Sequence, residues 1–389
     1  MTVGAGAERS EPSAATSTIG FGEKLLALLG TGSFTTSYKF ALLLAILDAA
    51  VEGTGSDGSP PSFLSGRDLG RRVLALYWRQ TRPYTDRGPL RQSGQRDLVV
   101  KIAELRDRLG LPEHLSLEAA RREHPAEIDD LERAVIATVI RYPIVLLQRF
   151  GTGAAAVDDR FIYDVTWDDS VSPARVHRPD FDDSLALVEG AAEKLAALSG
   201  MIRPVVEREW MRHVARRNGG DVDELRLEAF LFGGERISLE AVRKPLLGMQ
   251  DGRCFYCRAE RGPWEVDHFL PWSRWPDDRL DNLVVADRRC NNDKRAALPA
   301  VQHLERWSTR TLPTSSTSRQ LATLAAELPW PRRSKSTTAG ARGLYHHQPA
   351  GTMLWAGPGA VEPLDRDRLA AVFLDLDVAA EEDGSYDHR

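Results

Sequence analysis

Four short runs in the second half of the chain carry residue types able to hydrolyse a phosphate ester. They are Cys254-Phe-Tyr-Cys257, Val266-Asp267-His268-Phe-Leu-Pro271, Asp281-Asn282-Leu283 and Cys290-Asn291-Asn-Asp-Lys294. Cutting a phosphodiester takes a base that deprotonates water, a divalent cation that neutralises charge developing on phosphorus, and help for the departing sugar oxygen. Asp267, His268 and Asn291 offer this set. Carboxylate and carboxamide oxygens suit a hard ion such as Mg²⁺, which keeps several waters and needs few protein ligands. A neutral imidazole is the natural water-activating base near neutral pH. Because Asp267 and His268 are adjacent, a strand points them to opposite faces, although at a strand end both can border one cavity. Position alone leaves their roles open.

These runs resemble the HNH, or ββα-metal, endonucleases, whose fold is two strands joined by a loop and followed by a helix. The resemblance spans roughly fifty of the 389 residues. It implies that Asp267 and Asn291 bind a catalytic Mg²⁺ or Mn²⁺ and that His268 is the general base. It implies too that Asn282 opens the second strand and holds the loop that orients the base. Lys294, one helical turn beyond Asn291, then reaches a phosphate or the leaving oxygen. An Asp-His pair alone carries no weight; the ordered set with an upstream Cys-x-x-Cys is specific. The rival reading is a zinc-ribbon-like binding module, which leaves Asp267, Asn282 and Asn291 without a purpose.

Many members of that family also hold a structural zinc in two Cys-x-x-Cys pairs. Here the second pair reads Asp287-Arg-Arg-Cys290, so Asp287 stands where the family has Cys or His. Aspartate can ligate zinc, and it is equally suited to cap a helix N-terminus. Cys254, Cys257 and Cys290, with Asp287, are the candidate Zn²⁺ ligands. The alternative is three reduced, partly buried thiols.

The elements that must position these residues read as an α+β chain. A mainly α-helical N-terminal region is expected over 20–247, after a disordered lead-in at 1–19. The ββα nuclease module follows over 248–310, and a helical or irregular C-terminal extension with an acidic tail over 311–389. Apolar spacing of three and four predicts helices over Phe21–Leu29, Tyr38–Glu52, Asp68–Arg82, Arg96–Leu109, Ile128–Phe150, Asp182–Arg217, Leu225–Leu247, His303–Arg310 and Ser318–Leu328. Gly53–Gly66 reads as a loop, Phe161–Trp167 as a strand and Pro329–Gly340 as a connector. An apolar fraction of 42% supplies a sizeable core. The net charge of −5 does not advertise a polyanion partner, so any nucleic-acid surface is a local patch. No signal peptide is visible and the apolar run Phe40–Val51 is too short to cross a bilayer, so the expectation is a cytoplasmic protein with no membrane partner.

DNA is the expected substrate, with Arg274, Arg288, Arg289 and Arg295 around the motif as contacts and the loop Trp272-Ser-Arg274-Trp275 against the duplex. Arg67–Arg108 carries eleven Lys/Arg against five Asp/Glu, with Tyr77, Trp78 and Tyr84 among them. It suits phosphates and exposed bases, yet solvated arginines on an amphipathic helix pair are the favoured reading. Arg203–Arg217, with Trp210, reads the same way. His303, His346 and His347 are assigned no function. The expectation is Mg²⁺-dependent DNA hydrolysis leaving 5′-phosphate and 3′-hydroxyl ends, in prokaryotic restriction or anti-phage defence. The alternatives are a binding module without cleavage and an effector active only within a complex with a protein partner.

Overall fold

The structure, a computed structural model, describes residues 17–382 apart from 32–35, 85–87, 95–96, 152, 220–222, 234–238 and 329. Most of the expected lead-in and the end of the acidic tail lie outside the described residues. The chain forms two compact units: residues 1–46, 62–194 and 205–231 make the first, and 47–61, 195–204 and 232–389 the second.

The first unit is helical around two antiparallel patches of sheet. Ser65 caps the helix Gly66–Gln80 by accepting the Asp68 amide at 3.2 Å. That helix buries Leu69, Val73, Leu74, Tyr77 and Trp78 and runs beside the helix Pro125–Arg141, whose buried stripe is Ile128, Val135, Ile136, Val139 and Ile140. The expected helix over Ile128–Phe150 is broken at Tyr142-Pro143, where proline withdraws an N–H from the ladder. Two further expectations change. The loop before Gly66 ends in a strand, Phe63–Ser65, and the stretch after Asp182 opens with a strand, Ser184–Leu187, before the helix Ala191–Arg217. With Tyr163–Asp164, all that is extended of Phe161–Trp167, these make a sheet in the order Phe63–Ser65, Ser184–Leu187, Tyr163–Asp164. The aromatics of the basic stretches are core: Tyr77, Trp78, Tyr84 and Trp210 are buried, which removes them as stacking platforms for bases.

The second unit is built on one antiparallel hairpin, Trp264–His268 paired with Leu283–Asp287 in the register Asp267 opposite Val284 and His268 opposite Leu283. The helix Arg288–Lys294 follows at once, started by Asp287, whose Oδ1 accepts the Cys290 amide at 2.9 Å. Beneath the hairpin lies a core drawn from distant sequence: Val51 and Ala196, Phe255, Phe269, Val284, Trp307, Tyr345, Trp355 and Phe373. Phe269 stacks on Trp307 with ring centres 5.0 Å apart. The C-terminal stretch is thus structural, with helices Val301–Ser308, Ser316–Glu327, Ser334–His346 and Arg366–Glu382 and a hairpin of Met353–Gly357 with Ala360–Pro363. The expected connector Pro329–Gly340 therefore ends at Arg333. Its small residues are a packing device, since a Cβ at Gly340 would come within 2.9 Å of the Trp275 ring. No described helix is long and apolar enough to cross a membrane.

Two glycines give opposite expectations. A Cβ at Gly343 would overlap the Val51 carbonyl, so Gly343→Ala should force backbone apart and cost about 1–3 kcal/mol. Gly248, inside the helix Glu240–Met249, has nothing within 4 Å of a built Cβ, so Gly248→Ala should stabilise by about 1 kcal/mol. Chemical denaturation of the two variants checks both signs.

His346 sets a pH dependence. Burial, reinforced by His347, Arg342 and Arg366 and opposed by Asp57, pushes it down to about 4 from an ordinary 6.5. Between those values the unfolded chain binds a proton that the folded chain refuses. Stability from this group is therefore full above 6.5 and falls as pH drops towards about 4. Thermal melts across that window should show the fall, and His346→Gln should flatten it.

Candidate active site and metal centre

The strand Trp264–His268 sends Glu265 and Asp267 to one face, as period two requires. The helix Arg288–Lys294 lies along that face. Asn291 Nδ2 donates to Glu265 Oε2 at 2.7 Å, and one turn later Lys294 Nζ meets Asp267 Oδ2 at 3.0 Å. Asp267 and Asn291 are therefore borne on surfaces that meet. With its amide nitrogen on Glu265, Asn291 presents a carbonyl oxygen that accepts no hydrogen bond among the described residues. An aspartate, a glutamate and a carboxamide oxygen are the donor chemistry a hard divalent ion takes.

Each of these groups is held. Tyr256 donates its hydroxyl to Asp267 Oδ2 at 2.6 Å. Burial, then the Asp267 charge, push that phenol well above its ordinary range, so it stays a donor. Hydrogen bonds from Asn291 and Arg288 lower the Glu265 carboxyl. Lys294 is almost fully buried, its pKa lowered by burial with Asp267 pulling the other way. Its Nζ also donates to the His268 carbonyl at 2.8 Å. Lys294, expected at a leaving oxygen, here joins the strand end to Asp267.

His268 closes the strand and faces the following loop. Its Nε2 lies 2.7 Å from Asp278 Oδ1, and its ring centre is 5.2 Å from that of Trp272. Asn282 spends its whole carboxamide on that loop: Oδ1 accepts the Leu270 amide at 2.8 Å, while Nδ2 donates to the Leu270 and Asp277 carbonyls at 3.2 and 3.0 Å.

A second cluster joins the other side of the module. One ligand atom each from Cys254, Cys257, Asp287 and Cys290 lie within 4.8 Å of one another. Asp287 caps the helix through Oδ1, as one of its two expected roles has it, while Oδ2 accepts from the Cys257 thiol at 3.0 Å. Hydrogen bonding from Cys290 draws the Cys254 thiol down to about 6, and the same contact raises Cys290. Burial alone would raise Asp287, but hydrogen bonds from Cys257 and Cys290 outweigh it and hold the carboxyl well below its usual range. Three thiols and a carboxylate gathered this closely are a set that a borderline-soft divalent cation takes.

Of the arginines, Arg289 and Arg295 are exposed on the helix and its C-terminal turn. Arg288 Nε is 2.7 Å from Glu265. Arg274 is half-buried, with Nε on the Ala296 carbonyl at 3.0 Å. Trp275 is buried and donates to Glu52, whereas Trp272 is part-exposed. His303 is core, packed edge-on against Tyr256.

Three residues escape a reading by motif. Glu265 carries a signal, because it lies two before Asp267 in a strand and shares its face. Tyr256 sits inside the Cys-x-x-Cys, and its hydroxyl reaches Asp267 only through the fold. Asp278 has no sequence signal at all.

Comparison with known proteins decides the family of this segment. Residues 259–300 match the HNH endonucleases. The matched stretch takes in both strands, the loop with Asp278 and Asn282, and the helix through Lys294. No curated protein and no solved structure matches the chain. At family level, the segment matched is one of nucleases.

Proposed function

We propose that the protein is a DNA endonuclease using one Mg²⁺ or Mn²⁺ ion, and that a separate Zn²⁺ in the Cys254/Cys257/Asp287/Cys290 cluster braces the module. One observation supports the reading above the others. The strand face of Glu265 and Asp267 meets the helix face of Asn291 and Lys294, beside a histidine whose Nε2 is already engaged. Asp267 and Asn291 would hold the catalytic ion through oxygen. When bound, that ion neutralises charge on the phosphate and on the departing 3′-oxygen. His268 takes a proton from the attacking water through Nδ1. Asn282 keeps the loop beside the base in one conformation, and Tyr256 and Lys294 keep Asp267 in place. Arg289 and Arg295 give the module exposed positive charge for the DNA backbone.

Zinc is favoured over a hard ion in the cysteine cluster because thiolates are soft ligands. Incubating the purified chain with plasmid and linear DNA in Mg²⁺, Mn²⁺ or EDTA tests the reading. Nicked or linear product carrying 5′-phosphate in metal, and none in EDTA, is the expected result. DNA retarded on gels but uncut in every metal overturns it.

A further inference from the structure

We infer that Asp278 is the positioning residue of the general base, fixing His268 in the tautomer that leaves Nδ1 free for water. The inference rests on the nuclease reading above and deepens it at one atom. Asp278 Oδ1 is 2.7 Å from His268 Nε2. An ionised carboxylate only accepts, so Nε2 must carry the hydrogen, and a neutral imidazole then has its lone pair on Nδ1. The nitrogen that can deprotonate water is thereby chosen by a neighbour ten residues along the chain.

The neighbour is itself immobilised from three directions. Trp330 donates its indole N–H to the Asp278 carbonyl at 2.7 Å. Asn282 donates to the Asp277 carbonyl at 3.0 Å, and Thr337 to Asp277 Oδ2 at 3.2 Å. Asp277 cannot take over the role. It is buried, and its other oxygen accepts the Arg279 amide at 3.2 Å. Trp272 lies against the imidazole, so ring rotation is restricted as well as tautomer. The asparagine of the motif therefore acts on the base through Asp278: it fixes the loop, the loop fixes the carboxylate, and the carboxylate fixes the imidazole. Trp330 and Thr337 extend this chain of support into the C-terminal stretch.

The step balances without further reagents. An O–H bond of water breaks, its proton goes to Nδ1, the oxygen bonds to phosphorus, and the P–O3′ bond breaks with the electron pair leaving on oxygen. Asp278 keeps its charge throughout and stabilises the imidazolium, taking no proton.

The test uses the full chain with Asp278→Ala, Asp278→Asn and His268→Ala. Asp278→Ala should lower kcat by about 10²-fold with KM for DNA unchanged. Asp278→Asn keeps the shape but lets an amide N–H donate to Nε2, favouring the wrong tautomer, so it should fall at least as far; it also keeps the test decisive if the alanine variant fails to fold. A ¹⁵N spectrum of neutral His268 should show hydrogen on Nε2 in the parent, a tautomer mixture in Asp278→Ala and a shift towards hydrogen on Nδ1 in Asp278→Asn. Unchanged kcat in a folded Asp278→Asn, or hydrogen on Nδ1 in the parent, overturns the inference. If the parent chain cuts no DNA in any metal, the nuclease reading fails separately; if His268→Ala cuts at the parental rate, the base assignment fails; in either case the tautomer measurement still decides what Asp278 does.

Discussion

Replacing His268 with alanine should lower DNA cleavage by about 10³-fold while the protein stays folded. The reason for expecting so clean a separation is where the imidazole sits. It is part-exposed at a strand end, its hydrogen-bond partner among the described residues is the part-exposed Asp278, and its ring lies beside the part-exposed Trp272. Removing it strands no buried charge, so melting temperature should move little. The contrast is Asp267. That carboxylate is buried between Tyr256 and Lys294, and truncation to alanine would leave an ammonium without its counter-charge. Asp267→Ala should therefore lose both activity and several kcal/mol of stability. Asp267→Asn, which keeps the shape and a donor-acceptor pair, should lose activity with a smaller drop in melting temperature. Plasmid-cleavage rates and calorimetry on the three variants separate these outcomes. A His268→Ala protein that cuts at the parental rate would remove the base from the mechanism.

Stripping metal from the cysteine cluster should have the second largest effect. Elemental analysis should return one zinc per chain, and Cys290→Ala or exhaustive chelation should lower the melting temperature by on the order of 10 °C. Structural zinc in small domains is worth about 10–16 kcal/mol of binding free energy, and here a shared apolar core offsets part of its loss. Cys254 and Cys290 are buried in that core, whereas Cys257 is exposed, so substituting Cys257 should be the mildest of the three. Activity should fall with the metal although no ligand of the cluster touches the base. Tyr256 stands between Cys254 and Cys257 and hydrogen-bonds Asp267, so loosening the cysteine turn loosens the carboxylate proposed to hold the catalytic ion. A chain with no stoichiometric metal and an unaltered melt after Cys290→Ala would end the zinc proposal.

How much of this could be read before the fold was seen follows from the range of each interaction. Asp267, His268, Asn282 and Asn291 stand out in the sequence because their spacing is local to one hairpin and the helix that follows it. So was the cysteine set, whose four donors do converge. Asp278 was not legible, because what makes it important is a contact between a strand end and a loop. Phe63–Ser65 and Ser184–Leu187 pair across more than a hundred residues, and strands that short leave little periodicity. The helix Ser334–His346 was hidden for a different reason. It packs through Thr337, Gly340, Ala341 and Gly343, small residues that look like a linker until the close approach of Trp275 and Val51 explains them.

The floor beneath the hairpin is contributed by Val51, Ala196 and a C-terminal run reaching Phe373. A graft of residues 248–310 into another scaffold would carry the cutting edge without the surface it rests on. Chimaeras should therefore recover activity only when both flanks travel with the blade.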